Sequence, residues 1–441
     1  MYKGLFQRLL PHLIAIAVFL IVAVIYCLPA IQGKVLNQPD VVQWNAMAKN
    51  SFDYKATHGH FPLWTNSMFS GMPAYQIAME SDVKVSPGIL YNLFTLGLPK
   101  PISFFFLACI CFYFLCQVLR INPYVSIIGA LAFAYATYNP VLAATGHDTK
   151  LQSIAFMPAV IGSIMLLYER KYTWGTALTA LSTALLIGMN HMQIVYYTLM
   201  IAGFMTIGYL VFWIRQKNFR HLGIAIGLAA VAGLLGVMTN AVTIFTTQEA
   251  ARTTIRGGTE LPDQNATKTG LSKDYALAYS VYKTEPFVMM VPNMYGGSSD
   301  PIESKVESSK TLDALQSMPQ EMANQLGSLR SSYWGGIGSA GTSGPPYAGA
   351  VICFLALIGF IILDTKQKWW ILGLSVLTIL MSWGEYFKGF NSLLLDTLPM
   401  YNKFRAPSVI LVIPTLLFGM MAMMTLQKII SMPDKVLLWE R

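Results

Sequence analysis

Charge is scarce in this chain. Asp, Glu, Lys and Arg make up 12% of its 441 residues, whereas 54% are apolar or aromatic. A soluble domain carries about twice that charged share, so a water-soluble globule of this length is excluded. Cysteine is equally sparse, and Cys27, Cys109, Cys111, Cys116 and Cys353 all fall inside apolar runs. Buried there as small apolar side chains, they exclude a disulfide scaffold and a thiolate metal site. No internal repeat is present, which excludes a solenoid or propeller.

The chain is instead rich in long apolar runs. An α-helix needs roughly 17–25 apolar residues to cross the hydrocarbon layer. Ten runs of about that length lie near 9–31, 99–119, 124–144, 151–168, 174–189, 193–213, 221–247, 347–363, 369–384 and 407–427. This pattern predicts an all-α integral membrane protein, a polytopic bundle of about ten spans. It divides into an N-terminal part, 1–247, with about seven spans, a long loop, 248–346, and a C-terminal part, 347–441, with about three.

Basic residues set the expected orientation. Lys3 and Arg8, Arg120, Arg170 and Lys171, Arg215 with Lys217 and Arg220, Lys366 and Lys368, and Lys428 and Lys435 all border one side of the spans. By the positive-inside rule that side is cytoplasmic, with both termini on it. It carries 13 Lys and Arg against 4 Asp and Glu, and the other side 17 against 17. The net charge of +9 therefore falls wholly on the cytoplasmic face, and no nucleic-acid partner is needed to explain it. A cleaved signal peptide is disfavoured at the first run, which is longer than a signal core and has bulky Tyr26 before Cys27.

All 21 acidic residues lie outside the ten spans. An ion-coupled transporter keeps ionisable groups near mid-membrane, so their absence argues against that class. The two long outside segments, about 32–98 and 248–346, place the work on the extracytoplasmic face. The first is rich in Trp, Phe, Tyr, Pro and Gly and reads as short helices lying on the membrane surface. The second has a polar middle, 302–330, with a helix expected between Thr311 and Leu326, and an apolar piece after residue 384 is expected to dip back toward the membrane.

Candidate chemistry gathers at the outer ends of the spans. Asp40 follows the first, and His147, Asp148 and Lys150 join the third to the fourth. Asn190, His191, Gln193, Tyr196 and Tyr197 join the fifth to the sixth; Glu249, Arg252 and Arg256 follow the seventh, and Lys403 and Arg405 enter the tenth. This inventory suits group transfer from a lipid-borne phosphate. A carboxylate acts as general base on a hydroxyl or holds a metal, cations hold phosphate oxygens, and Trp44, Trp64 and Tyr75 offer faces to sugar rings. The plain structural alternatives are that Asp40 and Asp148 cap helices, that His191 bonds backbone at a tight turn, and that Arg405, Trp44, Trp64 and Trp334 merely sit at the interface. The triplet Asn265-Ala266-Thr267 matches a glycosylation acceptor and is assigned no role.

Asp40, "GHDTK", "NHMQIVYY", "IRGG", "VPNMYGGSS", "YWGG…TSGPPYAG" and "LPMYNKFRAPS", in that order, resemble the bacterial YfhO family, in the version found in Bacteroidetes-type bacteria. The likeness spans nearly the whole chain. That family is related to glycosyltransferases of the GT-C fold, so the resemblance implies a GT-C-like bundle in a bacterial inner membrane. The implied activity is transfer of a sugar from a polyprenyl-phosphate donor to a cell-envelope glycan, lipid or polymer. Asp40 would be the general base or orient the acceptor. Asp148 with His147 would hold a divalent metal, Mg or Mn, or the donor phosphate. Lys150 and Arg405 would be donor-phosphate ligands, joined by Lys403 and Arg256. Trp44, His191, Gln193, Tyr197 and Glu249 would line the substrate site, Glu249 as a third acid. The His-Asp pair stands where the family has paired acids, and family members are usually longer, which implies a short member or a truncated chain. Two other classes stay open: a transporter or flippase of lipid-linked glycans, with Asn240 as its mid-membrane polar group, and a non-catalytic envelope assembly factor.

Overall fold

The computed structural model describes residues 2–80, 82, 88–257, 270–295, 310–325 and 344–432. Helices dominate, and among the described residues the strands are two-residue β1 (Trp64–Thr65) and β2 (Met72–Pro73), paired antiparallel. The first apolar run forms α1 (Tyr2–Tyr26), shorter at its end than the sequence reading, because the chain breaks at Cys27 before a Leu28–Ile31 turn. Pro29 has no N–H to continue the helical ladder. Next comes α2 (Pro39–His58), which runs through the first loop.

Two helices, α3 (Ile102–Val118) and α4 (Pro123–Ala134), precede α5 (Tyr138–Thr145), which is bent 46° from α4. At that bend Asn139 Nδ2 donates to the carbonyls of Phe133 and Ala134, at 3.0 and 3.2 Å. The side chain thus satisfies acceptors that the interrupted ladder leaves over. The freed Thr137 N–H donates instead to Tyr347 O at 3.0 Å.

The centre of the bundle is α6 (Asp148–Tyr168), buried on nearly all sides. Packed on it are α3, α7 (Tyr172–Gly188) and α8 (Met192–Arg215). The seventh expected span is not one helix. It divides into α9 (Phe219–Met238) and α10 (Ala241–Arg252). Buried Asn240 bridges the break, its Nδ2 donating to Gly236 O at 3.3 Å and to Ala184 O of α7 at 3.0 Å. Small residues bring these helices close: a methyl on Gly236 would stand 2.7 Å from Thr183 Cβ.

The C-terminal part contributes α11 (Ala350–Ile362), α12 (Lys368–Ser382), α13 (Lys388–Thr397) and α14 (Val412–Ile430). After α12 the chain turns through 108° into a 3-10 turn and α13, in the region expected to dip back. The expected loop helix appears as two short ones, Lys310–Gln316 and Gln320–Gln325.

Among the described residues, five helices are long and apolar enough to cross a membrane, and up to seven when each bent pair counts as one span. The chain is an all-α membrane protein. At one end of the bundle Glu169 pairs with Lys366, and His221 bonds Tyr172 Oη at 2.7 Å and Tyr168 O at 3.0 Å. The opposite end holds the first loop and the helix ends where the candidate residues sit.

Candidate functional site

The local sequence explains why Asp40 and His147 meet. The last turn of α5 closes on Gly146, whose φ of +93° places it in the left-handed region that glycine adopts without a Cβ penalty. The N–H groups of Gly146 and His147 both donate to Leu142 O, at 3.1 and 3.0 Å. The first turn of α2 lies directly on this glycine, since a Cβ there would stand 2.9 Å from Val41 Cγ2 and 3.1 Å from Gln38 Cβ. Gln38 fastens the contact, with Nε2 donating to Ala143 O at 2.5 Å and to Asp148 Oδ1 at 3.4 Å.

Asp40 Oδ2 lies 2.6 Å from His147 Nε2, and the two side chains are 49% and 37% exposed. Lys150 Nζ stands 3.3 Å from the other ring nitrogen, Nδ1. An ammonium can only donate, so Nδ1 accepts and Nε2–H donates to Asp40. Burial first, then the Lys150 charge, holds His147 below the usual imidazole range, against the opposing pull of Asp40 and Asp148. The imidazole is therefore neutral and orients one carboxylate oxygen of Asp40.

Asp148 faces elsewhere. Its side chain is 13% exposed and pairs with Lys100 Nζ. Neither acid is a helix cap: the N-cap residues are Gln38 and His147, and both acids lie in the first turn. There they favour the positive end of the helix dipole.

Asp40, Trp44, Tyr91, Lys100, Asp148 and Asn190 line a cavity of about 580 Å³ between the first loop and the bundle end. Trp44 is no free interfacial ring, because its Nε1 donates to Ile77 O at 2.8 Å and its edge meets Phe52. Trp64 is 56% exposed. Asn265 and Trp334 lie outside the described residues.

His191 immediately precedes α8, and its Nδ1 is sealed from solvent, while a contact with its own backbone opposes the lowering of its pKa. Burial, and then the charges of Lys150 and His147, push its pKa down to about 3. Gln193 Nε2 donates at 2.8 Å both to Tyr197 Oη and to Arg405 O. Arg405 donates to Tyr275 Oη, lies 5.2 Å from that ring's centroid, and is close enough to Lys150 for the two charges to repel. Asp40 also acts on Lys150 and favours its charged form, so the two cations stand beside the carboxylate and can hold an anion next to it.

Arg256 and Lys403 fasten two loops together, Arg256 Nε donating to Lys403 O at 3.2 Å and Lys403 Nζ to Arg256 O at 2.5 Å. Glu249 is exposed near the end of α10 and does not line the cavity.

Among the described residues, no three His, Cys, Asp or Glu side chains stand together as a metal-binding group. The donor set explains this. His147 directs Nε2 to Asp40 rather than joining Asp148, and Asp148 is already neutralised by Lys100. As arranged, the residues do not fit a divalent ion.

Lys100 and Gln38 were not singled out in the sequence. The available signals were a lysine just before an apolar run, at the same end as Asp148, and a glutamine in the N-cap position before Pro39.

No protein family, curated protein or solved structure matches the chain.

Proposed function

We propose that the protein is a membrane glycosyltransferase, related to the YfhO family and the GT-C fold. It transfers a sugar from a polyprenyl-phosphate donor to a cell-envelope glycan, lipid or polymer at the outer face of a bacterial inner membrane. The observation that carries the reading is Asp40, a half-exposed carboxylate oriented by a neutral His147 on the wall of a large cavity, with Lys150 and Arg405 close by.

The chemistry follows from that arrangement. The acceptor hydroxyl hydrogen-bonds to Asp40, and its oxygen attacks the anomeric carbon of the donor. As the new C–O bond forms, the proton passes to Asp40. The bond from the anomeric carbon to the phosphate oxygen breaks, and polyprenyl phosphate leaves with the electron pair. Attack opposite the leaving group inverts the anomeric centre. Lys150 and Arg405 neutralise the charge that grows on the phosphate. No step is assigned to a metal.

A second cavity supports a lipid-borne donor. About 390 Å³ in size, it is lined by Tyr26, Pro29, Val35, Leu36, Phe105 and Pro140, with Lys34 also at its wall. Pro101 and Ala143 in that lining adjoin Lys100 and Gln38 of the site, so this apolar cleft suits the polyprenyl chain. The transporter reading gains no comparable support: Asn240 spends its amide donors on closing the break between α9 and α10.

The test is turnover by the full chain in lipid nanodiscs, with a panel of radiolabelled polyprenyl-phosphate sugars. Label transfer or donor hydrolysis is expected, with donor KM raised about tenfold or more by Lys150→Met, the loss of one charge-assisted phosphate contact. Absence of turnover with every donor, under conditions where another transferase works, would refute the reading.

A further inference from the structure

A smaller recess of about 110 Å³ adjoins the main cavity, and the two share Met79, Glu80 and Asn190 as walls. Tyr75 and Gln76 come to it from the short helix Ala74–Ala78, and Thr243 and Thr247 from α10. The break in the seventh apolar run is what frees α10 to face this loop. Gln76 Nε2 donates to Thr247 Oγ1 at 3.3 Å, clamping the two walls together.

The polar groups here are of one kind. The recess is lined by hydroxyls, amides and a single carboxylate, with no lysine or arginine. Among the described residues of the lining, a phosphate would therefore be repelled by Glu80 and find no cation. Among the described residues, the Tyr75 and Thr243 hydroxyls, the Asn190 amide and the Glu80 carboxylate have no hydrogen-bond partner. Glu80 is exposed and the other three are half-buried, so these groups are free to exchange water for the hydroxyls of a ligand that enters the recess. Leu63 adds an apolar surface, suited to the C–H face of a ring.

We infer that this recess is the subsite for a neutral hexopyranose ring, held by Asn190, Thr243, Tyr75 and Glu80. The assignment rests on the glycosyl-transfer reading and names its sugar class: the Glu80 carboxylate accepts from ring hydroxyls and disfavours a uronic acid. Asn190 has a left-handed backbone, φ +60°, which glycine also adopts. Asn190→Gly therefore removes the amide without straining the turn.

The test is saturation-transfer NMR on the full chain in nanodiscs, with glucose, galactose, mannose, N-acetylglucosamine and glucuronate as probes. A saturable signal is expected from at least one neutral sugar, with glucuronate at least tenfold weaker. Asn190→Gly and Thr243→Val should each weaken the signal about fivefold, whereas Glu249→Gln, outside the recess, should leave it unchanged. No saturable signal, a glucuronate signal as strong as the others, or indifference to both recess variants would overturn the assignment. Turnover from a lipid-linked donor with unchanged KM in both recess variants would overturn the subsite and leave the transfer reading standing. Saturable, variant-sensitive binding without transfer from any donor would support the subsite and remove the reading beneath it.

Discussion

Gly146→Ala is the sharpest structural test of how Asp40 is held. The new methyl would stand 2.9 Å from Val41 Cγ2, 3.1 Å from Gln38 Cβ and 3.2 Å from Val41 N. Carbon atoms rest at about 3.5–4.0 Å, so the first turn of α2 must retreat by roughly half an ångström or more. Alanine in the left-handed region costs about 1–2 kcal/mol in addition. Asp40 precedes Val41 and His147 follows Gly146, so the retreat pulls apart the 2.6 Å bond between them. Asp40 is half exposed, and the lost bond adds only about 1 kcal/mol. The fold is expected to lose about 2–3 kcal/mol, read as a lower Tm with the helical circular dichroism retained. A displacement of this order at a catalytic group lowers the rate by about 100-fold. In an Asp40→Asn background the same change should add less than about threefold, because the group it displaces no longer acts. A folded Gly146→Ala protein with the wild-type transfer rate would refute the view that this contact positions Asp40.

Stability should fall as the pH drops below about 6.5, where histidine titrates in the unfolded chain. His191 is held near 3 in the folded protein, so over that interval the unfolded state binds a proton that the folded state does not. At pH 5 this costs about 2 kcal/mol, and the lowered pKa of His147 acts in the same direction. Thermal melts across pH 7 to 5 check the slope, which His191→Leu should flatten. Asn240→Ala should lower stability by about 1–3 kcal/mol, because it leaves Ala184 O without its side-chain donor at the helix break, while Gly236 O keeps the Thr239 hydroxyl. A detergent melt unchanged from wild type would contradict that role.

The helical membrane architecture was legible because apolar runs of membrane-crossing length have few alternative explanations. What the runs did not show was where helices stop. The breaks after Ala134 and Met238 lie inside continuous hydrophobicity, and they persist because Asn139 and Asn240 supply side-chain donors to main-chain carbonyls. Such bonds depend on geometry that apolarity does not encode. The clustering of Asp40, His147, Lys150, His191 and Arg405 followed from alternating helix ends, since each expected turn at one side brings its polar residues to one face. Pair identity was not legible. His147 was grouped with its neighbour Asp148 but turns to Asp40, over 100 positions away, because of the close approach at Gly146. Lys100 then takes Asp148. Glu249 was placed in the site by its position after an apolar run. The break at Asn240 begins a new helix on which it faces outward.

The central claim is that Asp40 takes the acceptor proton, and the most direct measurement is single-turnover sugar transfer by Asp40→Asn beside wild type, in the same nanodiscs. Asparagine is nearly the same size and its carbonyl oxygen can still accept from His147 Nε2–H, so the site should keep its shape while losing its base. The expected result is an unchanged Tm with a rate lowered by about 10²–10⁴-fold. A rate within twofold of wild type would show that Asp40 is not the base.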